Sequence, residues 1–301
     1  MKKKDTNTLS RGRVLRKAVP YLMVMPAVIF LVVFTFIPIM YLFVLSFFKY
    51  NLISDMQFIG MENYKNLFFV EAGFWVAARN TVIYTVSLVI FLTLFSLLLA
   101  VALEKSSLLN AFAQRLMFLP HLCATLTVAM IFQWLMNEEG MFNAVLGLFK
   151  LPGLRWLNSS DTALFSIIII ACWKDIGYYT IIMLSSLKAI PAEINEAAEL
   201  DNAGFFRRFF KITLPMVSPQ LFFLLITITM GAFKVFDMVR ILTEGGPGNS
   251  TDSIVYWIYK KAFTGTLNLG LASAASVVLM GVMMIMTVIY FNTINKKVHY
   301  Q

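Results

Sequence analysis

Four ionisable side chains stand inside stretches that otherwise carry almost no charge: the neighbours Lys174 and Asp175, and the pair Lys234 and Asp237. A charge at the centre of a membrane-spanning helix costs about 2.5–3.5 kcal/mol on insertion scales, so each of the four needs a compensating role. Asp175 and Tyr178 are three positions apart, as are Lys234 and Asp237, and that spacing puts two side chains on one helix face. With Trp173, Tyr178, Tyr179 and Phe236 nearby in sequence, such faces offer hydrogen-bonding groups beside flat rings, a combination that suits a polyhydroxylated solute. The structural alternative is that Lys174 and Asp175 neutralise Asp237 and Lys234 across a bundle purely to hold two helices together. His121 follows Pro120 without a second ligand near it in sequence, and reads as a packed or interfacial residue rather than a metal ligand. No catalytic constellation is visible, and the absence of any Gly-Lys dipeptide excludes a Walker A phosphate loop. The chain is therefore expected to bind no cofactor and no metal, and not to be an enzyme.

The elements that position these residues follow from composition. Of 301 residues 59% are hydrophobic and only 14% charged, against roughly 45–50% and about 25% in soluble domains, and the mean hydropathy is +0.76. This is the signature of an all-α polytopic membrane protein. Six windows reach the length of about 20 residues that a span needs: 21–48, 80–103, 116–136, 163–186, 216–238 and 269–292. The first, second, third and sixth contain no Asp, Glu, Lys or Arg. The first is too long for a signal-peptide core, so the basic segment 1–20 is expected to remain as an anchor flank. Residues 21–301 then form one six-helix transmembrane domain.

Orientation comes from the basic residues. Although a net charge of +9 could suggest nucleic acid, in so apolar a chain it is better read as a topology signal, and no nucleic-acid partner is expected. Fifteen of the 25 Lys and Arg fall in the terminal segments and the 104–115 and 187–215 loops, whereas eight fall in the other loops. Positive charge marks the cytoplasmic side, so both termini and the 187–215 loop are expected there. Cys123 and Cys172 lie inside apolar runs and read as small buried hydrophobes rather than a disulfide pair. Gly270, Ala272, Ser273, Ala274, Ala275 and Ser276 in the last span read as close-packing residues.

The 187–215 loop is the most informative segment. Pro191 suits a helix start, Glu193 and Glu196 favour its positive end, and Ala192 to Asp201 is rich in helix formers. Asn202 tolerates a left-handed stop and Gly204 follows it, so the chain can turn into a second helical stretch over 205–212 that ends near Pro215. In that stretch Phe205, Phe206, Phe209 and Phe210 alternate with Arg207, Arg208 and Lys211. Periodicity alone suggests an interfacial helix pair on anionic headgroups; the small, acidic first helix suits docking into a protein groove better.

The same residues resemble the EAA loop of ABC importer permeases, with Glu196-Ala197-Ala198, then Asp201, Asn202 in the usual glycine place, and Ile212, Leu214 and Pro215 at matching distances. Leu242-Thr243-Glu244-Gly245-Gly246-Pro247 resembles a segment of carbohydrate importer permeases of the maltose and glycerol-3-phosphate type, and Pro20-Tyr21, Pro26 and Pro38 resemble their first span. The resemblance implies a type I importer permease in a bacterial inner membrane, importing a sugar of the oligosaccharide class. It implies a second homologous permease, two copies of an ATPase subunit that carries ATP and Mg, and an external solute-binding protein. It further implies that Glu196, Ala197, Ala198, Asp201, Asn202 and Gly204 form the turn that docks on the ATPase subunit. Counted outward from the loop, Ala171, Lys174, Asp175 and Tyr178, and Ile228, Gly231 and Ala232, fall where the maltose-type permease contacts substrate, though most residue types differ. Lys174 and Lys234 also allow an anionic solute such as a glycerol phosphate. An ion-coupled carrier with Asp175 and Asp237 as ion sites, or a non-transporting scaffold, are the rival readings.

Overall fold

The computed structural model describes residues 6–265 and 267–293, with side chains from residue 19 to 292. Most of the basic segment 1–20, and Lys296 and Lys297, lie outside the residues described at side-chain level. The chain opens with α1 (Thr6–Leu31), which passes through a π-helical turn (Val32–Phe36) into α2 (Ile37–Leu45), so that Val19–Leu45 forms one span. A short antiparallel ribbon, β1 (Phe48–Lys49) with β2 (Gln57–Phe58), leads to α3 (Glu62–Phe69). The second span is α4 (Ala72–Ala102), which starts eight residues before the expected window. Polar Asn80 and Thr81 made that window look like a boundary, but both serve the fold as hydrogen-bonding groups within the helix: Thr81 Oγ1 accepts from Ile254 N at 2.9 Å and Asn80 donates to the Asn249 carbonyl at 3.0 Å.

The third window is not one straight helix. It is α5 (Leu108–Leu122) and α6 (Thr125–Leu135), bent by 98° at Cys123 and Ala124. Both break residues take extended backbone angles, and Pro120 removes a donor from the last turn of α5. Cys123, expected to be buried, is exposed at this break. After α7 (Met141–Leu148) comes α8 (Ala163–Lys188), the fourth span, half of whose apolar window is buried. Then follow α9 (Ala192–Leu200), α10 (Phe205–Arg208), a π-helical turn (Phe209–Thr213) and α11 (Leu214–Met216).

The fifth window also breaks. α12 (Ser218–Phe233) meets the Phe205–Met216 helix at 66°, with Val217 at φ −88° and Pro219 in its first turn. It stops at Phe233, and α13 (Asp237–Leu242) begins only after a bend whose Phe236 sits at φ −138°, ψ −59°. Lys234 and Asp237 are therefore not on one continuous helix face, contrary to the expectation from their spacing. Finally α14 (Ile254–Phe263) precedes α15 (Leu269–Thr293), the last span. Among the described residues four helices are long and apolar enough to cross a membrane, and the two bent pairs, if each is one span, bring the number of crossings to as many as six.

The core lies where α4, α8 and α12 meet: Leu88 and Leu92, Ile167, Ile170 and Met183, and Leu224 and Ile228 are buried together with Val239 of α13. A smaller cluster joins α3, α4, α14 and α15 through Leu67, Phe74, Trp257 and Leu271. The small residues of α15 do bring backbones close, since a Cβ at Gly270 would overlap the Phe48 carbonyl and Ala274 and Ala275 are fully buried. By contrast α1 and α2 leave nearly all their apolar side chains exposed, a surface that only lipid or another subunit can cover.

Candidate functional site

Two places in the fold gather the residues singled out above. At one end of the bundle α9 and α10 form a helix–turn–helix. Asn202 takes the left-handed conformation (φ +51°) that its place in the turn requires, and the Asn202 and Ala203 N–H groups close back on the Glu199 and Ala198 carbonyls at 3.0 and 2.9 Å. Gly204 has an extended backbone and caps α10, so its freedom to adopt positive φ is not used. Arg208 locks the two helices through Glu199 at 3.1 Å. Glu196, Ala197, Asp201 and Asn202 are exposed on the outer face, whereas Ala198 is buried beneath the turn. Leu200, which drew no attention in the sequence, is 85% exposed at the tip; an apolar residue amid Glu and Asp was the available signal. Ile212, Leu214 and Pro215 stand apart from the α9–α10 turn. Leu214 and Phe209 pack against the α4–α8–α12 core, so this segment ties the turn mechanically to α12.

Deeper in the bundle a cavity of about 230 Å³ opens between α4, α8 and α12. Ala171, Lys174, Asp175, Ile228, Gly231, Ala232, Lys234 and Asp237 all line it, together with Tyr179 and Phe236. The break after Phe233 is what brings Lys234 and Asp237 to its wall. Tyr84 of α4 and Thr125 at the break between α5 and α6 also line it; nothing in their local sequence distinguishes them from ordinary span residues. Trp173 and Tyr178 stand off the lining. Trp173 packs edge-on against Phe132 (5.0 Å between centroids) and borders a separate apolar groove, because it points to the opposite side of α8.

Tyr178 belongs to a cluster that the sequence did not reveal. The His121 ring stacks on it at 4.3 Å with an interplanar angle of 10°, and His121 Nδ1–H donates to Asp175 Oδ1 at 2.9 Å. A carboxylate only accepts, which assigns the proton to His121 Nδ1. Lys174 Nζ lies 3.6 Å from the same Asp175 oxygen. Asp175 is thus compensated within its own neighbourhood by His121 and Lys174. Among the described residues no ion pair joins Lys174 or Asp175 to Lys234 or Asp237, so the cross-bundle neutralisation considered above is not formed. His121 is thus a packed residue, and its pairing with Asp175 leaves no local mark in the sequence because the partner is 54 positions away.

The Leu242–Pro247 segment forms a compact knot at the other end of the bundle. Thr243 and Thr251 hydroxyls meet at 2.7 Å, Thr251 donates to the Gly246 carbonyl at 2.8 Å, and Gly245 (φ +79°) lies so close to Asp252 that a Cβ there would overlap its carboxylate. Burial raises the Asp252 pKa above the ordinary carboxylate range, partly offset by Lys260 at 2.6 Å. Ser253 caps α14 and donates to the Val235 carbonyl at 2.7 Å, which fixes the bend that carries Lys234. The motif is a brace for the cavity wall.

Among the described residues no three His, Cys, Asp or Glu side chains gather to hold a metal ion. Residues 72–299 match the family described as "Binding-protein-dependent transport system inner membrane component". The chain is 35% identical over 270 residues to the "Probable ABC transporter permease protein YurN" of Bacillus subtilis strain 168, spanning 88% of this chain and 91% of that one. It is 33% identical over 289 residues to the sn-glycerol-3-phosphate transport system permease protein UgpA of Pectobacterium atrosepticum, spanning 94% and 96%. A crystal structure of a bacterial alginate ABC transporter, in complex with an alginate pentasaccharide-bound periplasmic protein, has a chain of the same fold at a TM-score of 0.85 and 22% identity, covering 96% of this chain and 99% of that one. The chain belongs to the binding-protein-dependent inner-membrane component family: it is a polytopic, non-catalytic permease subunit of an ABC-type importer.

Proposed function

We propose that this subunit passes an anionic, sugar-derived solute of the glycerol phosphate type through the cavity between α4, α8 and α12. The observation that carries this reading is the cavity's charge. Two lysines line it: Lys234 is exposed and, like the exposed Asp237 of the same lining, has no ion-pair partner among the described residues, and Lys174 sits beside an Asp175 already engaged by His121. The permeases named for sn-glycerol-3-phosphate, at 33% identity across nearly the whole chain, support it. A neutral oligosaccharide, the first expectation from the sequence, offers Lys234 no charge-assisted hydrogen bond, whereas an anionic solute does. Family membership sets aside the ion-coupled carrier.

In this reading the α9–α10 turn faces the cytoplasm, as the Lys and Arg distribution supports, and docks on an ATPase subunit present in two copies. A second permease completes the path, and an external solute-binding protein docks near the Thr243–Asp252 knot. Closure of the ATPase pair moves the turn, and the segment through Leu214 and Pro215 carries that motion to α12 and hence to Lys234 and the cavity wall.

The test is uptake by the complete importer in proteoliposomes. Glycerol phosphate should drive ATP hydrolysis in the presence of the cognate binding protein; stimulation by neutral oligosaccharides and not by glycerol phosphate would sink the proposal. Lys234→Gln should raise the KM for the anionic solute about tenfold or more, as expected for losing a charge-assisted hydrogen bond worth roughly 1.5–3 kcal/mol. His121→Ala leaves Asp175 with only the more distant Lys174, exposing the cavity to its negative charge. That variant should raise the same KM, and His121→Gln, which retains a donor, should recover part of the loss in the same kinetic assay.

A further inference from the structure

The basic, aromatic helix after the docking turn has a task that coupling does not explain. We propose that Phe205–Met216 is an interfacial helix that binds the phosphate headgroup of an anionic phospholipid on its exposed face, at the mouth of a cavity it shares with the end of α4. Its direction is the first support. It meets the span α12 at 66°, so it runs much closer to the membrane plane than to the span axis, over about 18 Å for its length. Its faces are the second. Phe209 packs inward, while Phe206 and Phe210 remain 74% and 59% exposed and Arg207 and Lys211 are exposed beside them, apolar rings and cations together as an acyl–headgroup boundary requires.

The third support is the cavity itself, about 290 Å³, which brings Val101, Glu104 and Lys105 against Phe205, Arg208 and Phe209. Arg208 is engaged by Glu199. The lining also holds Glu104 and Glu199, while Arg207 and Lys211 are exposed on the helix outside it; among the described residues Lys105, Arg207 and Lys211 form no ion pair. A phosphate diester supplies negative charge to these cations, and its acyl chains cover the exposed Phe206 and Phe210 rings. The lipid would thereby sit between α4 and the helix that links the docking turn to α12.

The complete importer should be placed in nanodiscs containing phosphatidylcholine with phosphatidylglycerol, with a photo-crosslinking residue at Phe206 and lipid retention read by native mass spectrometry. Each basic residue near an anionic headgroup contributes roughly fivefold to binding, so the triple variant Lys105→Gln, Arg207→Gln and Lys211→Gln should weaken phosphatidylglycerol retention by roughly a hundredfold. Arg208 is kept to preserve its pair with Glu199, and co-purification of the partner subunits verifies assembly. Crosslinking of position 206 to phospholipid supports the site. Crosslinking to the ATPase subunit or the second permease overturns it, as does equal phosphatidylglycerol retention by the variant, or displacement of the lipid by inorganic phosphate alone.

Discussion

Glu196→Arg should abolish solute uptake and binding-protein-stimulated ATP hydrolysis while the subunit remains in the membrane with its partner permease. Glu196 lies exposed on the outer face of α9, in a patch with Glu193, Glu199 and Asp201, and makes no ion pair that folding depends on. The turn beneath it is held by the Asn202 conformation, the Ala203 to Ala198 bond and the Glu199–Arg208 pair, none of which involves the Glu196 side chain. Reversal of charge in a desolvated protein–protein contact costs roughly 2–5 kcal/mol, enough to separate the ATPase subunit from the turn at ordinary concentrations. Immunoblotting of membranes for this subunit, pull-down of the ATPase subunit and transport assays on the same preparation distinguish failed coupling from failed folding. Full uptake by the variant would remove the coupling role from this turn. Leu200→Ser should weaken the same contact with less effect, since it removes an apolar anchor without adding repulsion.

Gly177→Ala should destabilise the whole helix bundle. A Cβ at this position would overlap the backbone carbonyl of Met117, so α5 and α8 touch backbone to backbone here. Neither side can yield by changing a rotamer. Overpacking a core by one methyl group costs roughly 1–3 kcal/mol where side chains can move, and the cost here belongs at or above the upper end. Separation of α5 from α8 would also pull His121 from Asp175 and Tyr178, four residues further along α5. The expected result is a clear fall in the thermal midpoint of the detergent-extracted complex, together with loss of solute affinity. Gly147→Ala, where nothing lies within 4 Å of the added carbon, is the matched control and should leave the midpoint unchanged. A stable Gly177→Ala protein would mean that α5 can slide along α8 without cost.

What the sequence determined by itself rests on local chemistry. Apolar length specified an all-α membrane protein, because a backbone in lipid must satisfy its hydrogen bonds within each helix. The Glu196–Asn202 turn was legible because the residues that make it are consecutive, and Asn tolerates φ +51° where most side chains do not. Lys174, Asp175, Lys234 and Asp237 announced themselves as costly charges in apolar surroundings. The breaks at Cys123–Ala124 and Lys234–Phe236 were not legible, since hydropathy averages over a window and an apolar run reads the same whether straight or bent by 98°. Only the tertiary structure decided that Lys234 and Asp237 leave a shared helix face to line the cavity, that Trp173 turns away from it, and that His121 engages Asp175. Those outcomes depend on which helices pack together, above all on the close approach of α5 to α8 at Gly177, and partners separated by 54 residues carry no mark of each other in the chain between them.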